Sequence, residues 1–348
     1  MQGKNIGILS AGSWGTAVAV ALVNNGHNVV AWTREDSVAN DINVKHVNEK
    51  FLPGATLPAN LKATTDIKEA VAKKDFLIIA TPSLYIESVV KQILDCDEIQ
   101  EGKVEIGILT KGFLPSDGTV HLLTDVLEDM LPEYYRANLV YISGPSHAEE
   151  VCAGKLTGLI VASENPLASI KFRELLKGES LLVYSSLDIR GVQVCAAAKN
   201  VIAIAFGCLD ALEQMSCIFG DNAISLLLAA GLNEIQTLGV ALGATHAETF
   251  TSIAGVGDLD VTCRSKYGRN RRFGQEIIQK SILENYDSID DLISRITEIG
   301  YLPEGVVASR YIHRLSEQNG LKLPICEGIY QILNKEIKPL DLLARLRK

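Results

Sequence analysis

The sequence predicts an α/β protein in which a doubly wound, mainly parallel sheet is followed by an all-α C-terminal domain. As far as about residue 190, short apolar runs rich in β-branched residues alternate with helical patterns, which is typical of such a sheet. Beyond that point the chain consists mostly of long helical patterns rich in Ala, Leu and Ile. Because 348 residues exceed what one hydrophobic core usually organises, we expect two domains, residues 1–190 and 191–348.

The individual elements are predicted from hydrophobic periodicity and turn residues. The strand candidates are short apolar runs, namely Lys4–Leu9, Asn28–Trp32, Phe76–Ala80, Glu105–Leu109, Leu139–Ser143, Leu159–Ala162 and Leu181–Ser185. The first helix is predicted from Trp14 to Asn25, where Gly26 ends it. In the second domain the clearest helices are Val192–Leu212 and Asn222–Leu242.

A small-residue turn joins the first strand to the first helix, with the sequence Ser10-Ala11-Gly12-Ser13-Trp14-Gly15. Gly12 lets the backbone approach a pyrophosphate, Gly15 lets the helix pack on the strand, and the helix N-terminus offers N–H groups to phosphate. Ser10 stands at the first glycine position of the G-x-G-x-x-G pattern. The turn and its flanking elements predict a Rossmann-like dinucleotide site. The alternative is a purely structural strand–turn–helix.

The end of the second strand bears on the choice of cofactor. Sites that prefer NAD usually carry Asp or Glu about 20 residues beyond the turn, where the carboxylate binds the ribose hydroxyls. Here the sequence is Trp32-Thr33-Arg34-Glu35, and Arg34 is suited to a 2′-phosphate. Glu35, one residue later, is compatible with NAD, so the predicted cofactor is NAD or NADP. An arginine that is only solvated is the alternative.

The charge balance indicates small ligands rather than nucleic acid. Asp and Glu total 42 against 33 Lys and Arg, a formal net charge of −9, and an acidic chain disfavours a general nucleic-acid surface. The cysteines form no C-x-x-C and have no His at metal-ligand spacing; they are Cys96, Cys152, Cys195, Cys208, Cys217, Cys263 and Cys326. We therefore expect reduced cysteines, no metal site and a small-molecule substrate.

Two apolar segments bear on location. Ile6–Leu9 is too short for the apolar region of a secretory signal. Val192–Leu212 approaches the length of a membrane span, but Lys199 and Asn200 lie near its middle and Asp210 near its end. We therefore expect a buried helix, no membrane span and a cytoplasmic protein. The sequence allows a homodimer without requiring one.

Lys199 is the residue that argues most for catalysis. Its neighbours along the predicted helix are apolar or small, so a buried lysine there requires a counterion or a depressed pKa. Asp258 follows two glycines in Gly255-Val256-Gly257-Asp258 and is a candidate carboxylate partner. Such a pair suits proton transfer at a carbonyl oxygen. The alternatives are a lysine whose stem reaches solvent and an aspartate that caps a helix.

Polar motifs follow several predicted strands, namely Thr81-Pro82, Thr110-Lys111-Gly112 and Ser143-Gly144-Pro145-Ser146. They place a lysine, hydroxyls and turn glycines at the ligand-binding edge of the sheet. A solvated loop lysine is the alternative for Lys111. Further along, Arg269-Asn270-Arg271-Arg272 is the densest positive cluster and favours a phosphate site over a solvated face.

Taken in order, these motifs resemble the NAD(P)-dependent glycerol-3-phosphate dehydrogenase family over nearly the whole chain. The matching segments are Ala11–Ala17, Phe51-Leu52-Pro53, Thr110-Lys111-Gly112, Ser143–Ser146, Ala198–Ala203, Gly257-Asp258-Leu259, Arg269–Arg272 and Glu304-Gly305. Each segment alone is weak evidence, whereas the ordered set is specific.

The resemblance implies a role for each motif. It implies that Lys199 transfers the proton, and the residues assigned to catalysis are Lys199, Lys111 and Asp258. Substrate contacts are implied for Lys111, Gly144, Ser146, Lys199, Asp258, Gly268, Arg269 and Asn270. The glycine-rich turn and the resemblance together assign cofactor contacts to Ser10, Gly12, Ser13, Trp14, Gly15, Arg34, Lys111, Ala148, Arg269, Leu302 and Glu304. The positions that depart from the family pattern are Ser10, Gly268 and Leu302-Pro303.

The implied reaction is reversible hydride transfer between NAD(P)H and C2 of dihydroxyacetone phosphate, giving sn-glycerol 3-phosphate for glycerophospholipid synthesis. In it, Lys199 protonates the developing alkoxide and the guanidinium cluster holds the phosphate. Two other interpretations stay open. A 6-phosphogluconate-type dehydrogenase accounts for the architecture but fits the arginine cluster and Asp258 less well. A nucleotide-sensing regulator leaves Lys199 in its apolar helix unexplained.

Overall fold

The computed structural model describes residues 3–214, 220–265 and 267–342. The chain folds into two compact units, one formed by Met1–Lys111 with Leu123–Ile189 and the other by Gly112–Leu122 with Arg190–Lys348. Residues 112–122, predicted to lie in the first domain, belong to the helical unit. They form a hairpin, which a boundary drawn from a change of composition does not detect.

The sheet of the first unit has the predicted architecture. The strands in the described ranges are β1 (Asn5–Leu9), β2 (Asn28–Trp32), β3 (Val47–Asn48), β4 (Leu52–Thr56), β5 (Lys62–Thr64), β6 (Phe76–Ile79), β7 (Glu105–Ile108), β8 (Phe113–Ser116), β9 (Thr119–Leu122), β10 (Val140–Ser143), β11 (Thr157–Ala162) and β12 (Leu181–Ser186). Eight of them form one sheet in the order β5-β2-β1-β6-β7-β10-β11-β12. Neighbours in it are parallel except β10 and β11. The predicted doubly wound, mainly parallel sheet is confirmed.

The strand order reverses between β1 and β6, because β2 and β5 extend the sheet to one side and β7 and β10 to the other. In open α/β sheets, ligands bind at such a point, outside the carboxyl ends of the strands. The carboxyl ends here are Leu9 and Ile79. All strands predicted from the sequence are present, whereas the three-residue edge strand β5 was not predicted.

The three helices predicted from periodicity, Trp14–Asn25, Val192–Leu212 and Asn222–Leu242, are present. In the described ranges the α-helices are α1 (Ser13–Asn24), α2 (Asp36–Asn40), α3 (Ile67–Val71), α4 (Ile86–Lys91), α5 (Asp97–Gln100), α6 (Leu123–Met130), α7 (Ala148–Cys152), α8 (Pro166–Leu176), α9 (Ile189–Glu213), α10 (Asp221–Ala241), α11 (Glu248–Thr251), α12 (Asp258–Arg264), α13 (Arg269–Gln279), α14 (Ile289–Ser294), α15 (Glu304–Asn319) and α16 (Pro324–Leu333). Two π-helical turns, Asp41–Lys45 and Ile253–Gly257, and four 3₁₀ turns, Ser83–Tyr85, Glu133–Tyr135, Ile282–Asn285 and Ile296–Ile299, complete the helical structure of these ranges.

The core of the first unit lies between the sheet and its helices. Ile8 on β1 and Leu22 on α1 are fully buried in one cluster, and burying such a side chain contributes about 1.5–3 kcal/mol. Gly107 on β7 leaves room for the ring of Phe172, since a Cβ at this glycine would lie 2.5 Å from the ring. Phe172 also meets Phe76 edge to face, with ring centroids 5.2 Å apart. The sheet is therefore packed at its centre, and its carboxyl edge carries the polar motifs.

The core of the second unit is built around α9. Glycines let two helices come into backbone contact: a Cβ on Gly207 would lie 1.9 Å from the carbonyl oxygen of Arg271, and one on Gly274 would lie 2.1 Å from that of Ile204. No side chain larger than hydrogen fits at these positions. This close crossing holds α13, which begins at Arg269, against α9, which carries Lys199.

Two helices in the described ranges are long and apolar enough to cross a membrane. The apolar window of Ile189–Glu213 is wholly buried within the protein, as expected for Val192–Leu212, and that of Asp221–Ala241 is one-third buried. The core helix of a globular protein passes the same test of length and composition, so these helices are weak evidence for a membrane span.

In the described ranges no cysteine is part of a disulfide, and all are buried except the half-buried Cys152. Cys217 lies outside the described residues. Burial raises the pKa of Cys152 and brings that of Cys208 to about 12, so these thiols remain protonated at neutral pH. In the described part of the chain, no group of three or more His, Cys, Asp or Glu side chains is arranged to hold a metal ion.

Candidate active site

The turn between β1 and α1 has the geometry of an anion site. Ser10 adopts φ 105°, which L side chains rarely adopt. The N–H groups of Ser10 and Ala11 donate to the carbonyl of Trp32 at 3.1 and 2.8 Å. A Cβ on Gly15 would lie 2.0 Å from the carbonyl oxygen of Ser10, so the approach of α1 requires glycine. Gly12 is the N-cap, and the first turn of α1 has neither a side-chain cap nor an acidic residue. Its N–H groups therefore fit a pyrophosphate.

The β3–β4 hairpin is tied to this turn by a buried side chain. Asn48 is 1% exposed, and its amide nitrogen donates to the carbonyl of Ala11 at 2.9 Å and to the Thr16 hydroxyl at 2.8 Å. From the other direction, the Ser13 hydroxyl donates to the carbonyl of Phe51 at the hairpin tip. These bonds fix the position of the tip relative to the turn.

The end of β2 brings together three charged side chains. Arg34 is exposed, and the next residue, Glu35, is the N-cap of α2. Lys50, on the hairpin tip, places its Nζ 2.7 Å from Oε1 and 2.5 Å from Oε2 of Glu35. The same Nζ lies 5.3 Å from the centre of the Phe51 ring. Lys50 was not predicted as a site residue, although it directly precedes the Phe51-Leu52-Pro53 motif, because nothing in the sequence shows that it pairs with Glu35.

Hydroxyl groups link the carboxyl ends of β1, β6, β7 and β10. The Thr81 hydroxyl donates to the carbonyl of Leu9 at 3.1 Å, and the Thr110 hydroxyl donates to the carbonyl of Thr81 at 2.6 Å. The Tyr141 hydroxyl donates to the carbonyl of Thr110 at 2.8 Å. All three hydroxyl residues are buried, so these bonds replace the hydration that the carbonyls lose. They fix the backbone that presents the half-buried Lys111 at the carboxyl edge.

The motif after β10 is a tight turn. Gly144 has φ 129°, and a Cβ there would lie 2.6 Å from the carbonyl oxygen of Gly158, so the position requires glycine. The Ser146 hydroxyl donates to the carbonyl of Gly144 at 2.8 Å. Ala148 begins α7 and is buried in a cluster with Ala17 of α1. Gly144, Ser146 and Ala148 therefore lie close along the chain, and their contacts with substrate or cofactor stay predictions.

Lys199 and Asp258 form a buried ion pair through Nζ and Oδ1. Their side chains are 5% and 1% exposed, so the stem of Lys199 does not reach solvent. Asp258 begins α12 immediately after the π-helical turn Ile253–Gly257, and Gly255 in that turn packs so closely that a Cβ would lie 2.0 Å from the carbonyl oxygen of Phe250. The close packing at Gly255 thus fixes the turn that leads into Asp258.

An amide network lies beside this pair along the same helix. The Asn270 side-chain nitrogen donates to Oδ1 of Asn200 at 3.0 Å, and the N–H of Gly305 donates to Oδ1 of Asn270 at 2.9 Å. Both asparagines are 4–7% exposed. A Cβ on Gly305 would lie 2.5 Å from the carbonyl oxygen of Asn200. The network therefore joins the starts of α13 and α15 to α9. The Asn270 amide has two hydrogens, and the bond to Asn200 uses one of them.

The arginines of the cluster differ in whether they pair with a carboxylate. Arg271 pairs with Asp210 and also donates to the carbonyl of Arg264 at 2.7 Å. Arg272 lies 3.0 Å from Glu276. By contrast, Arg269 is exposed at the first position of α13, directly after Gly268, and in the described ranges its guanidinium has no carboxylate partner. The residues alone predicted a cluster that holds phosphate as a whole, and the family resemblance implied a substrate contact for Arg269. The structure leaves Arg269 available for that contact, which stays a prediction.

The segment before α15 is anchored by a tyrosine. The Tyr301 hydroxyl donates to the Glu276 carboxylate, and the Arg272 guanidinium lies 4.5 Å from the centre of the Tyr301 ring. Burial by itself raises the pKa of Glu276, but hydrogen bonds from Tyr301, Lys280 and Arg272 hold that pKa below its ordinary value. The residues that follow, Leu302 and Glu304, are half-buried, and Glu304 begins α15. Their cofactor contacts stay predictions.

Comparison with known proteins assigns this arrangement to a family. The profile of the NAD-dependent glycerol-3-phosphate dehydrogenase N-terminus matches residues 5–169, and the profile of its C-terminus matches residues 188–344. The chain belongs to this family. The resemblance inferred from the ordered motifs is confirmed.

Individual relatives match the chain over almost its full length. The chain is 60% identical to glycerol-3-phosphate dehydrogenase (NAD(P)+) of Treponema denticola over 347 residues, which are 98% of this chain and 97% of that protein. It is 36% identical to the Bacillus pumilus enzyme of the same name over 348 residues, covering 99% and 95% of the two chains. The crystal structure of glycerol-3-phosphate dehydrogenase from Coxiella burnetii superposes with a TM-score of 0.84 at 31% identity, covering 99% of each chain. These matches favour the glycerol-3-phosphate dehydrogenase interpretation over the other two.

Proposed function

We propose that the protein catalyses reversible hydride transfer between NAD(P)H and C2 of dihydroxyacetone phosphate, giving sn-glycerol 3-phosphate. The observation that carries the proposal is the buried pair of Lys199 and Asp258, in the same unit as the exposed Arg269. Reduction of a phosphorylated ketone needs a proton donor for the new hydroxyl and a cation for the phosphate. Relatives named for this activity support the proposal.

The residues of the first unit fit a dinucleotide. The turn Ser10–Gly15 offers the N–H groups of the first turn of α1 to the pyrophosphate, and Arg34 offers a guanidinium where the adenosine ribose would lie. When bound, the nicotinamide supplies or accepts the hydride. The further cofactor contacts assigned by resemblance belong to the same proposal, at Lys111, Ala148, Arg269, Leu302 and Glu304.

Proton transfer is assigned to Lys199. In the direction of reduction its ammonium donates a proton to the C2 oxygen as negative charge develops there, and in the direction of oxidation the neutral amine accepts the proton of the C2 hydroxyl. The Asp258 carboxylate holds Nζ in place and compensates its charge inside the protein. The other contacts to substrate are assigned to Lys111, Gly144, Ser146, Gly268, Arg269 and Asn270.

The test is to mix the protein with dihydroxyacetone phosphate and NADH or NADPH and follow the loss of nicotinamide absorbance. Arg269→Ala should raise the KM for dihydroxyacetone phosphate about 10- to 150-fold, as expected for a lost charged hydrogen bond, and change the rate with unphosphorylated dihydroxyacetone little. Arg272→Ala is the matched control, because that guanidinium is engaged by Glu276. Absence of turnover with both cofactors would refute the reaction. Equal KM changes in the two variants would refute the role of Arg269.

Two finer parts of the proposal are a homodimer and a cytoplasmic location. Both rest on the sequence and on the likeness to the family, and light scattering of the purified protein tests the first. The domain boundary at residues 190 and 191 is likewise a proposal, and limited proteolysis tests it.

A further inference from the structure

We propose that Lys50, at the tip of the β3–β4 hairpin, is a specificity residue that contacts the 2′-phosphate of NADP and otherwise neutralises Glu35. The inference rests on the proposed dinucleotide site and adds to it the residue that lets one site take both cofactors. It comes from the ion pair between Lys50 and Glu35, which no motif in the sequence indicates.

The position of Lys50 is fixed by the same residues that form the phosphate turn. Asn48 is held by the carbonyl of Ala11 and the hydroxyl of Thr16, and the Ser13 hydroxyl holds the carbonyl of Phe51. Lys50 lies between these two anchored residues, so its stem starts from an ordered backbone. A lysine in a free surface loop lacks this constraint, so holding a contact there also costs backbone entropy.

The charges at this position explain why both cofactors are acceptable. A free carboxylate at the end of β2 binds the ribose 2′-hydroxyl and repels a 2′-phosphate. Here Glu35 is engaged through both oxygens by Lys50, so that Arg34, Glu35 and Lys50 together carry one net positive charge. An ammonium has three donors and both side chains are 38–54% exposed, so Lys50 can turn from the carboxylate to a phosphate without breaking a buried contact.

Two neighbouring carboxylates oppose the binding of a phosphate at this position. Asp36, at the start of α2, and Glu49, beside Lys50 on the hairpin tip, are both exposed. Because they face solvent, screening reduces their repulsion of a phosphate. Lys50 is therefore expected to provide a contact that Arg34 alone does not.

The experiment measures binding to the full-length protein by calorimetry, at one ionic strength, with adenosine 2′,5′-bisphosphate and with 5′-AMP as probes. Lys50→Met should weaken the affinity for the bisphosphate about tenfold and change the affinity for 5′-AMP less than about threefold. The tenfold effect is at the low end for loss of a charged hydrogen bond, because the site is exposed. Lys50→Arg should retain the affinity for the bisphosphate.

Lys45→Met is the matched control, because Lys45 is 63% exposed and pairs with Asp41 at 2.8 Å in the same unit. The double variant Lys50→Met/Glu35→Gln separates a lost contact from an unmasked carboxylate, and it should bind the bisphosphate more tightly than Lys50→Met does but still more weakly than the wild-type protein does. Recovery of the wild-type affinity in the double variant, or equal losses in Lys50→Met and Lys45→Met, would overturn the proposal. Turnover of dihydroxyacetone phosphate with NADH, measured on the same wild-type protein, tests the proposed function independently.

Discussion

Replacing Lys199 by Met tests whether its ion pair serves stability, catalysis or both. The Lys199 and Asp258 side chains are 5% and 1% exposed, so the substitution leaves a carboxylate inside the protein without its cation. Breaking a buried pair from one side costs about 3–5 kcal/mol, because the remaining charge stays desolvated. For a unit of this size, that loss lowers the Tm by about 6–20 °C.

Removing both charges separates stability from chemistry. The double variant Lys199→Met/Asp258→Leu leaves no buried charge at this position, and replacing a buried pair by apolar side chains is often neutral or stabilising. We therefore expect its Tm to return to within a few degrees of the wild type. The turnover number of both variants should fall about 10²- to 10⁴-fold, because neither has the proton-transfer group.

The two measurements are thermal unfolding by calorimetry and the reduction of dihydroxyacetone phosphate followed by nicotinamide absorbance. Near-normal turnover of Lys199→Met would exclude Lys199 as the proton-transfer residue. A double variant that stays as unstable as the single one would show that packing, and not the unpaired carboxylate of Asp258, explains the loss of stability.

Two further predictions concern stability. Ser10→Gly should raise the free energy of unfolding by about 0.5–1 kcal/mol in urea titrations. It relieves about 1–2 kcal/mol of backbone strain at φ 105°, and the greater chain entropy of glycine in the unfolded state offsets about 0.4–1 kcal/mol of that gain. An unchanged midpoint would show that Ser10 is not strained. Burial raises the pKa of Glu234, although the N–H groups of Ile325 and Cys326 donate to its carboxylate at 2.6 and 2.9 Å. The contribution of Glu234 to stability is therefore largest at acid pH and falls as pH rises above the ordinary pKa of 4.5. Glu234→Gln should accordingly gain stability relative to the wild type as pH rises above 4.5, and the opposite slope would contradict this sign.

The central strands were predictable because they are buried on both faces. β6 consists of four buried residues, and in β1 the four residues after Asn5 are buried, so each appears in the sequence as an uninterrupted apolar run. The edge strand β5, Lys62–Thr64, is three residues long with an exposed lysine, and a run of that length carries no periodicity. The edge position alone does not explain the miss, because the six-residue strand β12 at the opposite edge was predicted; the short length of β5 does.

The hairpin of β8 and β9 is a different case, because its signal was present. Asp117 and Gly118 have φ 50° and 79°, as a two-residue turn of type I′ requires, and Asp-Gly between apolar runs is a strong hairpin signal. The predicted domain boundary rested instead on the change of composition near residue 190. That criterion follows sequence order, whereas residues 112–122 join a unit whose other residues begin at Arg190.

In the candidate site, the residue types could be predicted from the sequence, but which of the arginines pair with carboxylates could not. The pairing of Lys199 with Asp258 followed from one elementary rule, that a charge inside an apolar helix needs a counterion. No such rule distinguishes Arg269 from Arg271, since both are arginines of one short motif. Their difference depends on Asp210, which is 61 residues away in sequence and is brought to Arg271 by the close glycine-mediated crossing of α9 and α13. Tertiary packing therefore decides which arginine of the motif is left available. In the described ranges Arg269 is the one without a carboxylate partner, and this is compatible with the substrate contact that the family resemblance implies for it.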